Sequence, residues 1–290
     1  MNRRAFLTHS IRRVALVTSL PAFLDAMTAR RSSDAVMPVL FVGHGNPMNA
    51  IEPNEFHKTW VSLGTRLPRP QAILCVSAHW LTRGTKVTAM ERPQTIHDFG
   101  GFPEELYQQQ YPAPGAPALA EETRRLIGPA SVQADVAWGL DHGTWSFLLP
   151  MYPQADIPVY QLSIDVTRKE QFHYDLAKAL LPLRRKGVLI VGSGNIVHNL
   201  GMMQLSGKPY DWAVEFDEKI AALVLSGNHA PIINYEGFGR VARLAVPTND
   251  HYLPLMYPLA LKEPTDDIAF FNEATDLGSV SMRSIIFGRR

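Results

Sequence analysis

The sequence predicts an α/β fold, a single-domain αβα sandwich around a central, largely parallel or mixed sheet, on three observations. The chain has 290 residues, 46% of them hydrophobic and 19% charged, which is enough apolar content to close a sizeable core. Runs such as Ile73-Leu74-Cys75-Val76 and Val188-Leu189-Ile190-Val191 are apolar at every position, as expected for strands covered on both faces by helices. Longer amphipathic segments lie between such runs, and alternating strand and helix signals define a layered α/β architecture.

Taken in order, the strand signals are Val39 to Val42, Ala72 to Ser77, Lys86 to Met90, Pro158 to Ser163, Val188 to Val191, Val241 to Val246 and Val280 to Ile286. The helix signals between them are Asn54 to Leu67, Ala116 to Ile127, Thr144 to Met151, Lys169 to Leu183 and Asp211 to Leu225. In the last of these, Trp212, Phe216, Ile220 and Leu223 recur every three to four residues, a stripe that faces a core. The Pro-rich stretch from Pro112 to Pro117 is short and flanked by aromatic residues, so it reads as a surface loop and not as a domain linker. Residues 36–290 are therefore expected to form one catalytic domain.

Residues 1–35 read differently. Arg3-Arg4-Ala5-Phe6-Leu7 precedes an apolar stretch from Val14 to Leu24 and then small residues, Ala26 and Ala29, an order that resembles a twin-arginine export signal. The expectation is a leader directing the protein to the periplasm, the alternative being a plain basic extension on a cytoplasmic protein. The apolar run is interrupted by Thr18, Ser19 and Pro21 and falls short of the roughly 20 residues that span a bilayer, so no membrane anchor is expected. Lys and Arg number 28 against 27 Asp and Glu, a formal charge of +1, which leaves no basic field for nucleic acid. The single cysteine, Cys75, excludes an intramolecular disulfide framework and Cys-rich zinc sites.

Gly43-His44-Gly45 and Gly192-Ser193-Gly194 each follow a strand, but Met48 and Val197 stand where a dinucleotide fingerprint has its third glycine, so a Rossmann site is weakly supported. Motifs for P-loop nucleotidases, zincins and serine hydrolases are absent from the sequence. What remains is a set of histidines at strand ends. His44 follows the first strand, His79 the second, His198 the strand ending near Val191, and His251 the run ending at Val246. Parallel strands bring their carboxyl ends to one edge, where ligands of open α/β sheets bind, and imidazole is a common nitrogen ligand for iron, zinc and copper. His44, His79, His198 and His251 are thus the candidate metal ligands. His142, in Asp141-His142-Gly143-Thr144-Trp145, could be an acid or base beside the metal or a residue held by Asp141. His97, in a loop with Phe99, Gly100, Gly101 and Phe102, suits a substrate lid or a packed surface loop. His57, His173 and His229 lie in polar contexts that suggest solvated surface, and Cys75 reads as a core residue.

Six segments, in order, carry a resemblance. Gly-His-Gly-Asn-Pro at 43–47, Ser-Ala-His-Trp at 77–80, Ile-His-Asp-Phe-Gly-Gly-Phe-Pro at 96–103, Asp-His-Gly-Thr-Trp at 141–145, Gly-Ser-Gly-Asn-Ile-Val-His-Asn at 192–199 and Asp-His-Tyr at 250–252 resemble the 4,5-DOPA extradiol dioxygenase group of the class III extradiol ring-cleavage dioxygenases. The resemblance implies that His44 and His79 bind the metal, that His198 acts beside it as acid/base or further ligand, and that His142 is a second catalytic histidine. His251 matches the group's C-terminal metal-site motif and stands where the wider class places a carboxylate. The implied metal is Fe(II) for activity, with Zn(II) an alternative occupant of the isolated protein. The implied partners are a small aromatic diol and O2, the ring opening to a semialdehyde. Phe99, Phe102, Trp80 and Trp145 are candidates for an apolar substrate wall. Two rivals remain at this point: a zinc-dependent hydrolase on the same histidines, and a non-catalytic metal-binding interaction protein.

Overall fold

The computed structural model describes residues 18–28, 36–206 and 208–289. Its central sheet has six strands: Val39–Gly43 (β1), Ala72–Ser77 (β2), Val159–Gln161 (β3), Val188–Gly194 (β4), Asp267–Phe271 (β5) and Ser284–Gly288 (β6). They lie in the order β3-β2-β4-β1-β6-β5, the first four parallel and β6 antiparallel to both of its neighbours. The sheet is mixed, as expected. Successive residues of the apolar runs serve opposite faces, the consequence of the two-residue period of a strand. Val39, Phe41, Leu74, Val76, Val188 and Ile190 enter one core, while Leu40, Val42, Ile73, Cys75, Leu189 and Val191 enter the other.

Helices cover both faces. Leu20–Thr28 (α1), Glu55–Arg66 (α2) and His142–Met151 (α4) pack on one side. Pro117–Ile127 (α3), Glu170–Lys178 (α5), Asp211–Ser226 (α6), Arg240–Ala245 (α7) and Met256–Leu261 (α8) pack on the other. Asn54 caps α2 by accepting from the His57 backbone N–H, and Asp141 caps α4 by accepting from that of Thr144, each satisfying a donor that a helix start leaves unpaired.

Four expectations change. Val241 to Val246 is not a strand but lies largely in helix α7. Ala242 and Ala245 are buried while Arg240 and Arg243 are exposed, a three-residue period that a short apolar run hides. The Val280 to Ile286 run breaks at Met282 and Arg283 into Val280–Ser281 and β6. The Lys169 to Leu183 helix divides into α5 and Leu181–Arg185, whose Pro182 stands in its first turn, where a missing N–H is tolerated. His173 is fully buried and not solvated: its ring lies 2.9 Å from the Tyr257 hydroxyl and 3.2 Å from the Asp165 carbonyl.

The leader expectation meets the structure only in part. Arg3, Arg4 and Ala29 lie outside the described residues. Residues 20–28, set aside above as leader, form α1 and join the core: Phe23 and Leu24 are fully buried, and the Arg66 guanidinium binds both the Pro21 carbonyl and Asp25. The backbone N–H of Thr18 donates to Ile268 on the edge strand β5. Among the described residues no helix is long and apolar enough to cross a membrane.

Candidate metal centre and active site

Strand register places the first two histidines side by side. Gly43 pairs with Gly194, and Ser77 with Ser193, so β1, β2 and β4 end flush and the residues just beyond them meet. The His44 and His79 Nε2 atoms are 3.2 Å apart. His251 arrives from a loop after α7, and glycines admit it. A Cβ on Gly194 would lie 2.1 Å from the His251 carbonyl oxygen, and one on Gly192 would lie 2.2 Å from that of Pro254. Gly-Ser-Gly therefore serves close backbone approach and not dinucleotide binding. One ring nitrogen from each of His44, His79 and His251 lies within 4.8 Å of the others.

The hydrogen-bond network assigns the tautomers. The Ser193 hydroxyl donates to the Gly143 carbonyl, so its oxygen, 3.0 Å from His44 Nδ1, must accept there. His79 Nδ1 is 3.2 Å from Asp98 Oδ2, and His251 Nδ1 is 2.6 Å from Asp250 Oδ2. The His44 and His251 Nδ1 atoms thus carry hydrogen toward an outer acceptor, and the Asp98 carboxylate, facing His79 Nδ1 at ion-pair distance, favours the same tautomer there, leaving each Nε2 with a lone pair. Two such lone pairs facing each other at 3.2 Å repel unless a cation lies between them, so the donor set fits a divalent metal. Burial, then the neighbouring imidazoles, hold the His44 and His79 pKa values well below the ordinary one, which keeps both rings in the neutral, ligating form.

Two further histidines flank this trio. His198 stacks on His251, ring centroids 3.5 Å apart and 9° from parallel. It lies outside the three-nitrogen group and meets Asp250 and His251 in a second one. Burial, then His251, lowers its pKa to about 3. His142 opens α4, its ring 3.9 Å from that of His79 and 5.6 Å from that of His44. Asp98 joins them: Oδ1 accepts from the His142 backbone N–H at 2.9 Å and stands 3.0 Å from its Nδ1, while Oδ2 faces His79. Asp98 and Ser193 are the residues that sequence reasoning passed over. The one signal for Asp98 is its place beside His97 in the 96–103 segment.

His97 itself does not enter the cluster. Its Nε2 is 2.9 Å from the Gln109 carbonyl and its ring packs on Phe99 and Trp145, which supports the packed-loop alternative. Phe99 reaches the His142 ring at 5.5 Å. Trp80 and Trp145 are buried, Trp80 stacked on Trp138 and Trp145 donating to the Ile96 carbonyl, so they support the site from behind. The open cleft, about 600 Å³, is instead walled by Ala78, Leu81, Leu200 and Pro247 around His79, His198 and His251.

Fold and site together define a metal-dependent α/β enzyme whose histidine-rich centre sits at the strand ends. Residues 39–257 match the family model described as the catalytic LigB subunit of aromatic ring-opening dioxygenase, and the chain belongs to that family. It is 48% identical over 265 residues to a 4,5-DOPA dioxygenase extradiol of Escherichia coli K12, covering 88% of this chain and 96% of that protein. It is 36% identical over 263 residues to one from Beta vulgaris, covering 88% and 98%. The crystal structure of an uncharacterized protein from Escherichia coli K12 superposes with a TM-score of 0.76 at 44% identity, over 87% of this chain and all of that one. The chain is an extradiol ring-cleaving dioxygenase acting on an aromatic substrate with O2, and the hydrolase and interaction-protein alternatives are not favoured.

Proposed function

We propose that the enzyme cleaves an L-DOPA-like catechol beside its diol, using Fe(II) held by His44, His79 and His251, with His198 and His142 as the proton-handling residues. The observation that carries this reading is the convergence of three Nε2 lone pairs, each fixed by an Nδ1 contact to Ser193, Asp98 or Asp250. The catechol class is supported by the two relatives called 4,5-DOPA dioxygenase extradiol and by a cleft of about 600 Å³, within the range of small-molecule sites. Zn(II) fits an all-imidazole set as well, so a zinc-bound form of the isolated protein is part of the proposal.

Bound Fe(II) would supply acidification of the diol and a path for electrons from the ring to dioxygen. The protein's own residues handle the remaining tasks. Leu81, Leu200 and Pro247 give the aromatic ring an apolar wall. His198, stacked beside His251 in the wall of the cleft, is placed to accept a hydroxyl proton and to return it. His142, held at Asp98 through its backbone N–H with its ring 3.9 Å from that of His79, is assigned the second proton-handling role. Oxygen-electrode assays on anaerobically Fe(II)-loaded protein with a panel of catechols test the proposal. O2 uptake with a yellow ring-opened product from L-DOPA is expected; uptake with no catechol would overturn it.

Periplasmic export through Arg3-Arg4-Ala5-Phe6-Leu7 is proposed alongside. Its support is the order of basic, apolar and small residues in the leader. Immunodetection in fractionated cells checks it, and full-length protein confined to the cytoplasm would refute it.

A further inference from the structure

Asp98 touches two of the five clustered histidines at once, through different oxygens, and no other carboxylate in the cluster does so. Its side chain is 18% exposed. The backbone N–H of His142 is a first-turn donor of α4 that lacks an intrahelical partner, and Asp98 Oδ1 accepts it. That bond fixes which oxygen faces which histidine: Oδ1 is committed to His142, and Oδ2 is left for His79 Nδ1.

We infer that Asp98 is a positioning residue that sets the tautomer of His79, holding hydrogen on Nδ1 so that Nε2 is free to bind metal, while tying His142 to the same carboxylate. The inference rests on the assignment of His79 as a metal ligand made above. It also links the 96–103 loop to the metal centre, because Asp98 is followed by Phe99, whose ring contacts that of His142.

An asparagine at this position separates tautomer control from mere support. In Asp98→Asn the amide oxygen must remain toward the His142 N–H, since the amide NH2 there would set donor against donor. The NH2 group then faces His79 Nδ1 at the position now 3.2 Å away, and makes that nitrogen the acceptor. The hydrogen moves to Nε2, and the ring can no longer ligate. Asp98→Ala imposes neither tautomer. Zn(II) affinity of the full-length metal-free protein, measured by competition with a chromogenic chelator, is expected to fall at least about tenfold in D98N and less in D98A. Thermal melting would verify folding of both variants. If Asp98 only supports the loop, the order reverses, because asparagine keeps the His142 bond and alanine loses it; that order, or wild-type affinity in D98N, overturns the inference. His79→Ala in the same assay separates the two levels. Wild-type affinity in H79A overturns the ligand assignment and this inference with it, whereas loss in H79A beside an unaffected D98N overturns the inference alone. Should D98N fail to fold, 15N spectra of the histidine rings in the wild-type protein decide: Nδ1–H on His79 is expected, and Nε2–H overturns the inference.

Discussion

Each ligand candidate makes an outward-facing contact that leaves the inward nitrogen its lone pair. For His44 the chain of donors can be followed through Ser193 to the Gly143 carbonyl; for His251 it ends on Asp250, whose carboxyl His251 holds well below its ordinary value against the effect of burial. Negative charge therefore stands behind the His251 imidazole. His198 has a different setting, stacked flat on His251 and fixed through its backbone N–H to the Ala245 carbonyl. Its main-chain anchorage survives loss of the ring. His198→Ala is accordingly expected to fold, to bind metal and to lose at least about 100-fold in kcat for ring cleavage, the usual size of a proton-transfer contribution. Turnover followed by O2 uptake, with circular dichroism as the folding control, checks this; near-wild-type kcat would remove His198 from the mechanism.

At the level of elements, two packing contacts carry function that their own residues do not advertise. The end of β4 must be glycine because the His251 loop lies on it. Gly194→Ala is expected to leave the sheet folded but displace His251, weakening Zn(II) binding at least tenfold by chelator competition; the expected tenfold is the size of other losses of ligand support. Unchanged affinity would mean the loop yields without moving its histidine. Helix α1 is the second case. Leu24→Ala empties a fully buried position between α1 and its neighbours and is expected to cost about 2–5 kcal/mol, read as a lowered urea midpoint; no change would show that α1 is undocked in solution. These contacts also mark where sequence reasoning stopped. The strands Ile73–Val76 and Val188–Val191 were legible because burial on both faces makes every residue apolar, and His44 and His79 followed from strand ends. The 241–246 run was not, since a six-residue apolar-rich run satisfies a strand or a helix. Asp98 was not, because its partners are 19 residues before and 44 after it in the chain. Nothing local distinguishes such a carboxylate from a solvated one.

For the whole molecule, stability and the site share one dependence on pH, because burial lowers the pKa values of His44, His79, His173 and His198 in the folded chain. His173 lies outside the histidine cluster. It bridges α5 and α8, its Nε2–H donating to the Asp165 carbonyl while Nδ1 accepts from the Tyr257 hydroxyl, and burial lowers its pKa to about 4. A histidine with a pKa of 6.5 when unfolded and about 4 when folded binds its proton first in the unfolded chain. Unfolding then takes up protons, so stability is full above pH 6.5 and is lost as the pH falls toward 4. The difference of 2.5 units corresponds to about 3 kcal/mol. His44, His79 and His198 are shifted the same way, so the metal-free protein as a whole is expected to weaken steeply over this range. The contribution of His173 can be isolated by comparing wild type with His173→Gln under a chelator, where the other histidines act equally in both. The variant is expected to be less stable at pH 7.5, and the gap to wild type to narrow by about 3 kcal/mol on going to pH 4, measured by urea unfolding at each pH. A gap independent of pH would show that His173 takes up its proton in the folded state, and that the contact between α5 and α8 tolerates charge.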